Sequence, residues 1–393
     1  MTQEPVYDAI VVGLGAMGSA ALYQLSKRGA RVLGIDQYSP PHTLGSSHGD
    51  TRLTRCAIGE GSHYVPLAVR SHEIWRELEE RSGETVLTEC GGLFFSGEKQ
   101  VSPVHGTTAF LDQTIAAAKQ HGIEHELLDL AALEQRFPQF KYSGIECGYY
   151  EPGAGFVRPE RAIDLQLRFA VEQGAEVMRD TAVVAVEPAS TQAGLSRVTT
   201  ADAEFAAKRV ILTAGAWVSQ FLDPAVHEQF AVYRQLLFWF EPDMDIGRFE
   251  PAEFPVYIRS DRTKEDLIYG FPAIDGIKGG IKIASEQYAS TCTPEAGTAP
   301  VTQAEIDRMF ALASRFLKIK NHCYRAAACL FTVTPDGEFT IDFHPDHPDL
   351  IVASPCSGHG FKHSAAIGEM LAELALDGQT HFDRTEYRMD RFH

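Results

Sequence analysis

The chain has 393 residues, a length that suits two domains sharing an interface better than one compact domain. With 44% hydrophobic and 22% charged residues, its composition is that of a globular protein with a sizeable core. A formal net charge of -18 argues against nucleic acid or an anionic membrane surface as the main partner, so a negatively charged small substrate needs a local basic site.

The chain opens with a pattern typical of a strand, a tight glycine loop and a helix. A β-branched run over residues 8–12 precedes Gly13, Gly15 and Gly18. We interpret these glycines as the sharp turn, the point of backbone approach to a pyrophosphate, and the point of close helix packing. Asp36 follows a second apolar strand, where a carboxylate meets ribose hydroxyls. The segment predicts a dinucleotide site without specifying the dinucleotide; the alternative is a glycine-rich turn that binds nothing.

Helical and strand patterns alternate through the next part of the chain. A second polar, glycine-bearing stretch at residues 45–55 is basic in an acidic protein, so we expect it to lie along a bound anion. Periodicity and turn residues give the other assignments. They are a helix over 65–81, a strand over 87–95, a helical region over 107–137, turns over 148–156, a helix over 159–172 and a strand over 182–186.

The second half of the chain predicts a return to the nucleotide domain and a separate sheet. A strand over 209–213 runs into the small residues 214–217, which indicates a second approach to the cofactor. Apolar residues alternate with period two between 230 and 283, which predicts antiparallel strands. The chain is then expected to return to the first domain through a helix over 302–317, with the closing segments 327–341, 350–354 and a helix over 364–376.

These assignments predict an α/β protein with two domains. The first is a Rossmann-like dinucleotide-binding domain that is discontinuous in sequence, and the second is an α+β substrate domain built on an antiparallel sheet. The first domain takes residues 1–88, 150–222 and 322–393, and the second takes 89–149 and 223–321.

Seven cysteines occur without a CxxC pair. This pattern argues against a disulfide framework or a zinc site and suits a reducing cytoplasm. The N-terminal residues lack the positive region of a signal peptide, and the apolar opening run is too short to span a bilayer. We therefore expect a cytoplasmic protein with neither a metal nor a membrane partner.

Three polar stretches, in order, resemble the monomeric sarcosine oxidase and N-methyltryptophan oxidase family. They are Gly45 to Arg55, the Cys-x-x-Thr-x-Thr-Pro-Asp run that starts at Cys329, and Ser357 to Lys362. The resemblance covers essentially the whole chain. It implies a flavoprotein of the D-amino-acid-oxidase-like fold that oxidises a secondary amine, most simply an N-methyl or cyclic α-amino acid such as sarcosine or N-methyltryptophan. The product is an imine, and O2 is reduced to H2O2.

The resemblance also implies that FAD is tethered through its 8α-methyl group to Cys329. Taken alone, this cysteine is typical of an inert buried thiol, and only its sequence context favours attachment. Cys323 lacks that context and is assigned to the core. The expected cofactor-binding residues are Gly13, Gly15, Met17, Gly18, Asp36, Ser46, Ser47, Arg52, Ala214, Gly215, Trp217, Cys329, Gly358, His359, Gly360 and Lys362.

Amine oxidation requires a neutral amine close to the flavin, so the carboxylate of the substrate is the natural handle. An arginine fork and a lysine grip a carboxylate well, and the resemblance assigns these roles to Arg55 and Lys362. The alternative for each is a surface salt bridge. His359 is expected near the flavin pyrimidine. His48 and Arg52 are expected as catalytic residues near the other side of the ring, where Arg52 supplies charge and His48 tunes the site; the alternative for His48 is a polar loop residue.

Reduction of O2 is favoured by a cation above the flavin. In the family this cation is a lysine on a strand after a Tyr-Gly-Phe-Pro turn, which begins here at Tyr269. Lys278 and Lys282 both follow, and the alternating pattern around Lys282 favours a strand that presents it inward. Tyr269 itself is expected to line the substrate pocket.

Two departures from the family leave the substrate side chain open. Glu286 stands where the family has a histidine, and Ile58 stands where it has a tyrosine. A same-family oxidase of a larger amine is therefore one alternative. Others are a flavin dehydrogenase that passes electrons to a carrier, a nicotinamide-dependent dehydrogenase, and a flavin-binding module without activity. Three converging cations, Arg55, Lys282 and Lys362, argue against the last.

Overall fold

The computed structural model describes residues 6–96, 109–144, 146–189, 194–260, 267–276 and 278–392. Their helices are α1 Ala16–Lys27, α2 Val65–Ser82, α3 Phe110–His121, α4 Leu130–Arg136, α5 Pro159–Glu172, α6 Pro224–His227, α7 Pro294–Gly297, α8 Gln303–Ala313 and α9 Ser364–Asp377. Their strands are β1 Val6–Val12, β2 Val32–Ile35, β3 Arg52–Thr54, β4 Leu87–Glu89, β5 Gly92–Ser96, β6 Glu126–Leu128, β7 Cys147–Glu151, β8 Gly155–Val157, β9 Glu176–Met178, β10 Val183–Glu187, β11 Ser196–Thr200, β12 Glu204–Leu212, β13 Ala231–Pro242, β14 Val256–Ser260, β15 Ile268–Gly270, β16 Ile281–Ala284, β17 Ile319–Val333, β18 Thr340–Phe343 and β19 Leu350–Ser354.

The first sheet carries the glycine loop. Its order is β10-β11-β12-β1-β2-β9, and β19 also pairs with β12 and with β18. The strands β12, β1 and β2 are parallel, with Val11 aligned with Ile211 on one side and with Gly34 on the other. Because parallel strands end at the same edge, the loops that follow them meet there, as in other dinucleotide-binding sheets.

Small residues let the helices approach this sheet and one another closely. Helix α1 is buried along almost its whole length and packs between α5 and α9. A Cβ atom at Gly368 of α9 would lie 2.4 Å from the Cβ of Ala20, so the contact between α1 and α9 needs glycine there. The glycine loop therefore leads into a helix that is fixed on two sides.

The second sheet has the order β17-β13-β16-β15-β14-β5-β7-β6. Its neighbours are antiparallel except for β14 and β5, which are parallel with Val256 aligned with Gly92. The antiparallel strands expected over 230–283 are confirmed, since β13, β16, β15 and β14 pair antiparallel with one another. The parallel pair joins β14 to β5, between which the chain passes through the first sheet and can return in the same direction. Aromatic side chains, among them Phe238, Phe240 and Phe254, fill the core on one face.

The strand β17 corrects one boundary. Residues 322–333 were expected in the first domain, but the strand Ile319–Val333 is hydrogen-bonded along β13 in the second sheet, with Cys329 aligned with Gln235. The preceding helix is shorter than expected, Gln303–Ala313, and its buried residues pack on the core of the second sheet. The chain therefore stays in the second sheet until residue 333. The division into domains is otherwise a prediction.

Two other sequence assignments merge elements that are separate. The strand expected over 87–95 is two strands, β4 and β5, divided at Gly91, whose φ of +80° turns the chain. The helical region expected over 107–137 contains α3, β6 and α4; residues 107 and 108 lie outside the described residues. The turns expected over 148–156 are wrong, because this segment contains the strands β7 and β8 joined by residues 152–154, and the segment expected over 327–341 contains the end of β17 and the start of β18. The other elements agree with expectation to within about five residues. All seven cysteines are free thiols in this structure. None of the described helices has both the length and the apolar character to cross a membrane.

Candidate active site

A large cleft opens where the parallel strands of the first sheet end. Its empty volume is about 1230 Å³. The glycine loop forms one wall, and the segment after β12 and the segment after β19 form the others. The residues on its surface that the sequence predicted are Gly13, Gly15, Met17, Asp36, Ser46, Ser47, Arg52, Ala214, Gly215, Trp217, Gly358 and Gly360.

The glycine loop is held by a close contact within the protein. Gly13 has a φ of +90°, and its carbonyl oxygen accepts a hydrogen bond of 2.7 Å from the Thr213 hydroxyl. A Cβ atom at Gly18 would lie 1.8 Å from that same oxygen, so the first turn of α1 can reach the loop only without a side chain. At Gly15, by contrast, the nearest such atom is the Ser47 Oγ at 4.0 Å. Gly15 therefore leaves open space on the cleft side of the loop.

Asp36 is fixed at the end of β2 by backbone donors. Its Oδ2 accepts from the Leu14 amide at 2.6 Å and its Oδ1 from the Tyr38 amide at 2.8 Å. The side chain is only 6% exposed, and burial raises its pKa above the usual aspartate range. The Nε2 of His42 lies 3.8 Å from Oδ1. The carboxylate thus stands rigidly on the cleft wall, beside the glycine loop.

The opposite walls are built from small residues and one tryptophan. Ala214 and Gly215 follow β12, and the indole of Trp217 donates to Glu295 at 3.1 Å. A Cβ atom at Gly360 would lie 1.7 Å from the carbonyl oxygen of Pro355, so the loop after β19 also requires glycine. In both segments, small residues therefore bring the backbone close to the cleft beside larger side chains such as Trp217 and Phe361.

A second cavity, with an empty volume of about 700 Å³, adjoins the first. The two share the lining residues Arg52, Phe331, Gly358 and Phe361. One side of the second cavity is formed by strands of the second sheet, and the other by β3, which pairs with β8 in a small three-stranded sheet, and by the loops after β3 and β19. Its other lining residues are Leu53, Arg55, Glu60, Leu237, Ile258, Leu267, Tyr269, Phe271, Lys282, Glu286, Cys329, His359 and Lys362.

Arg55 and Lys362 meet at one end of this cavity on a buried carboxylate. The Arg55 Nη2 lies 2.6 Å from the Glu60 Oε2, and the Lys362 Nζ lies 3.1 Å from the Glu60 Oε1. All three side chains are at most 4% exposed. The Lys362 ammonium also donates to the His359 carbonyl at 2.8 Å. Both expected carboxylate-binding residues are therefore together, and neither is a surface salt bridge.

Two nitrogen atoms of the Arg55 guanidinium are not used in the contact with Glu60. Its guanidinium lies over the rings of Phe94 and Phe110, at 4.7 Å and 4.8 Å from their centres. Its buried Nε and Nη1 have no hydrogen-bond partner among the residues that the structure describes. Since unpaired buried donors are costly, this end of the cavity is prepared for a further acceptor.

Lys282 lies on β16 and points into the interior. Its ammonium donates to the carbonyls of Gly49 and Thr51 at 2.7 Å and 2.6 Å, and to the Thr51 hydroxyl at 3.0 Å. It also lies 4.3 Å from the centre of the Phe271 ring. Burial, and then the charge of Arg52, lower the pKa of Lys282 well below the usual lysine value. Lys278, the other candidate, is exposed.

Cys329 lines the second cavity from β17. It is 2% exposed, and burial raises the pKa of its thiol, although the nearby charges of Arg52 and Lys282 oppose that shift. Arg52 is held by the carbonyls of Thr51 and Ser46, at 2.9 Å and 2.6 Å. The thiol and two cations thus share one region of the cavity.

Three residues that the sequence analysis named line neither cavity. His48 is buried but does not line either cavity, and burial, together with the charges of Arg52 and Lys282, lowers its pKa to about 3, so it is neutral at pH 7. Gly18 lies at the close contact of α1 with the Gly13 carbonyl, as expected of the third glycine, and it does not line the cleft although it was also expected among the cofactor-binding residues. Ile58 is fully buried in the main hydrophobic core and does not line the second cavity. Ile58 therefore contributes no atoms to the wall of this cavity.

Comparison with known proteins identifies the family of the chain. The profile of a family described as FAD dependent oxidoreductase matches residues 8–374. The chain belongs to the FAD-dependent oxidoreductase family. It is 39% identical over 378 residues to a monomeric sarcosine oxidase of Streptomyces avermitilis, covering 96% of this chain and 95% of that one. It is 33% identical over 389 residues to an N-methyl-L-tryptophan oxidase of Yersinia pestis, covering 98% and 99%.

Solved structures show the same fold. NikD, an amino acid oxidase essential for nikkomycin biosynthesis, superposes with a TM-score of 0.83, covers 98% of each chain and is 22% identical. The mixed α/β architecture of this FAD-dependent oxidoreductase is thus that of the amino acid oxidase fold.

The first cleft fits FAD by its own geometry. The open side of Gly15 lies at the N-terminus of α1, where free amide groups and the helix dipole favour a pyrophosphate. The carboxylate of Asp36 lies at the end of β2, about 20 residues after the glycine loop. Dinucleotide-binding folds place the carboxylate that binds the ribose hydroxyls at this position. The cleft leads directly into the second cavity, so the flavin end of FAD has a continuous path to the region of Cys329 and Lys282.

Glu60 is the site residue that the sequence analysis missed. It joins Arg55 and Lys362, and the His359 Nδ1 lies 4.0 Å from its Oε1. The available signal was its position between Gly59 and Gly61, directly after the arginine motif. A carboxylate inside a glycine turn five residues beyond a predicted carboxylate-binding arginine is a candidate counter-ion.

Proposed function

We propose that this FAD-dependent oxidoreductase is an oxidase of secondary amines, which oxidises an N-methyl or cyclic α-amino acid to an imine and reduces O2 to H2O2. The observation that carries the proposal is the adjoining pair of cavities, with a carboxylate grip at one end of the second and Cys329 and Lys282 beside the entrance from the first. Relatives named monomeric sarcosine oxidase and N-methyl-L-tryptophan oxidase support it. The free cysteines support a cytoplasmic setting.

The substrate carboxylate would replace Glu60 on Arg55 and Lys362. The pair holds one buried negative charge in the absence of substrate, and the spare Nε and Nη1 groups of Arg55 can donate to the second oxygen of the substrate carboxylate. FAD, when bound, accepts two electrons from the amine and passes them to O2, which also takes up two protons. Water then hydrolyses the imine. The residues of this chain therefore orient the amine through its carboxylate and supply positive charge near the flavin.

The residues that line the second cavity indicate which substrate side chains to test. Leu53, Ile258 and Leu267 give it an apolar side. Glu286 gives it a carboxylate, whose Oε2 accepts from the Tyr288 hydroxyl at 3.0 Å. Tyr269 lies on the same cavity, and burial raises the pKa of its hydroxyl, so it is neutral at pH 7. Apolar and cationic side chains both have a chemical counterpart in this lining.

An anaerobic screen tests the proposal. Purified yellow protein is mixed, without O2, with sarcosine, N-methyl-L-tryptophan, N-methyl-L-leucine, Nα-methyl-L-lysine, L-proline and L-pipecolate, and the loss of flavin absorbance is followed. We expect at least one of these amines to bleach the flavin and, after O2 is admitted, to give one H2O2 per imine. Bleaching without H2O2 would favour a dehydrogenase, and bound flavin that no amine bleaches would favour a binding module.

Covalent attachment of the flavin is proposed through Cys329. A thioether would form when the thiol proton and one hydrogen of the 8α-methyl group are lost, with the two released electrons taken by the flavin and then by O2. We expect the wild-type protein to stay yellow after acid precipitation, because the flavin is bonded to the chain. Cys329→Ala protein should release all of its flavin into the supernatant.

Cys356→Ala is the matched control for Cys329. Cys356 is also a free thiol and lines the first cavity, so the substitution makes a similar change near the cofactor. It should leave the precipitate yellow. Colourless precipitate from the wild type, or yellow precipitate from Cys329→Ala, would disprove attachment at Cys329.

Binding of the substrate carboxylate should weaken at high pH. Burial lowers the pKa of Lys362 to about 8, an effect that Glu60 partly opposes. Lysine is charged below its pKa, so the grip is complete below about pH 8 and loses one cation as the pH rises through it. We expect kcat/KM, which reports groups of the free enzyme, to lose about tenfold per pH unit on this account well above pH 8.

Lys362→Arg separates this titration from that of the substrate amine. The guanidinium stays charged over the whole range, whereas the substrate titrates identically with both enzymes. The ratio of wild-type to variant kcat/KM should therefore be constant below about pH 8 and fall above it. A ratio that does not change with pH would assign the titration to another group.

A further inference from the structure

The loop of residues 49–51, whose carbonyls accept hydrogen bonds from Lys282, has an unusual backbone conformation. Gly49 and Asp50 have consecutive positive φ angles of +94° and +68°. Such a pair turns successive amide groups toward one point and makes a concave anion site. It also directs the carbonyls of Gly49 and Thr51 to the Lys282 ammonium. The conformation is strained for Asp50, so something outside the loop must stabilise it.

Glu160 supplies that stabilisation. Its Oε1 accepts from the Gly49 amide at 2.6 Å and from the Asp50 amide at 3.1 Å, which places the carboxylate in the concavity. Glu160 lies in the first turn of α5, where the helix dipole favours a negative charge. The carboxylate is thus anchored to a rigid helix of the first sheet.

A second contact holds the loop from the other sheet. The Asp50 carboxylate forms an ion pair with Arg325 of β17, and the guanidinium of Arg325 lies 3.8 Å from the centre of the Trp239 ring. A Cβ atom at Gly49 would lie 2.5 Å from the Leu237 Cδ1, so the loop also fits closely against β13. The loop is therefore clamped between both sheets, directly beside Lys282.

We propose that Glu160 is a positioning residue for Lys282: by filling the concavity of the loop it fixes the two carbonyls that hold the ammonium in place for the reaction with O2, an inference that rests on the proposed function. Glu160 does not line either cavity, so it acts only through the loop. Its negative charge and that of Asp50 also favour the charged form of Lys282, against burial and Arg52.

The two half-reactions of the holoenzyme test this role. Glu160→Ala removes the acceptor, Glu160→Gln keeps an acceptor oxygen without the charge, and Glu172→Ala changes an exposed glutamate at the other end of α5 as a control. Each protein is reduced anaerobically with dithionite and mixed with O2, and separately each oxidised protein is mixed with N-methyl-L-tryptophan or sarcosine. Lys282→Met is measured in parallel.

We expect Glu160→Ala to slow reoxidation by O2 about tenfold, less than the roughly 10²- to 10³-fold that loss of a charge-stabilising group itself produces. Glu160→Gln should lie between it and the wild type. The rate of reduction by the amine should be unchanged. In hydrogen exchange, peptides that contain Gly49 and Asp50 should exchange faster in Glu160→Ala, because both amides lose their acceptor. Glu172→Ala should match the wild type in every measurement.

The outcomes separate this inference from the proposed function. Faster exchange with unchanged reoxidation would make Glu160 merely structural and overturn the inference. Equal slowing of both half-reactions would do the same, because it would indicate a general disturbance. If Lys282→Met also reoxidises normally, the role of Lys282 in the proposed function fails as well.

Discussion

The reduced Lys282→Met variant is expected to react with O2 roughly 10²- to 10³-fold more slowly than the wild type, the range seen when one group that stabilises developing negative charge is removed. The first electron transferred to O2 makes an anion, so a cation held beside the flavin lowers the barrier. Lys282 is well suited because it is 3% exposed and its three donors are held by Gly49 and Thr51. Reduction by the amine should change little, since Lys282 does not belong to the carboxylate grip.

Stopped-flow mixing of dithionite-reduced protein with O2 measures this step without a substrate. Lys278→Met is the matched control: it removes the same charge three residues before the start of β16, from an exposed side chain. It should reoxidise as the wild type does. Normal reoxidation of Lys282→Met would remove the role that we assign to Lys282. If the wild type itself reoxidises slowly, the alternative of a dehydrogenase that passes electrons to a carrier would be favoured.

The first sheet could be predicted from sequence because its signals are local. The glycine spacing, the strand before it and Asp36 all lie within the first 36 residues, and each follows from a steric or hydrogen-bonding requirement of one loop. The structure adds the reason for each glycine. Gly18 meets the carbonyl oxygen of Gly13, whereas Gly15 faces open space. The structure thus agrees with the different roles that the positions of Gly15 and Gly18 in the motif predicted.

The strand order of the second sheet could not be predicted from the sequence, because its strands pair with partners that are distant along the chain. Strand β17 aligns with β13 across about ninety residues of chain, and the parallel pair of β14 and β5 joins segments that a connection through the first sheet separates. Period-two alternation reports which face of a strand is buried, but it does not report the neighbour. The misplacement of residues 322–333 follows directly from this limit.

The candidate site shows the same contrast. Motifs assigned Arg55, Lys362, Lys282 and Cys329, and the structure brings all four to one cavity. Glu60 was missed because a glutamate in a loop is usually solvated, and only the fold shows that it is buried between two cations. Glu160 was missed because its partners are backbone amides, which no side-chain motif records.

A valine at Gly15 is expected to give a folded but colourless protein. The backbone there has a φ of -68° and a ψ of -155°, an extended conformation that any residue adopts, and a new Cβ atom would meet no protein atom closer than the Ser47 Oγ at 4.0 Å. As the N-cap of α1, valine in place of glycine costs about 1 kcal/mol, which a domain of this size tolerates. The branched side chain would instead fill the space where the pyrophosphate of FAD approaches the backbone.

Gly18→Ala makes the smaller change at a site where the protein itself is the obstacle. Its methyl group would lie 1.8 Å from the Gly13 carbonyl oxygen and 2.7 Å from the Thr213 Oγ1, so α1 must move away from β1. We expect this variant to lose both flavin and thermal stability. Gly15→Val should lose the 450 nm absorbance while its circular dichroism and melting temperature match those of wild-type protein prepared without flavin. If Gly15→Val protein is fully yellow, FAD binds despite the valine side chain. The pyrophosphate would then not pass over Gly15, and this prediction would be wrong.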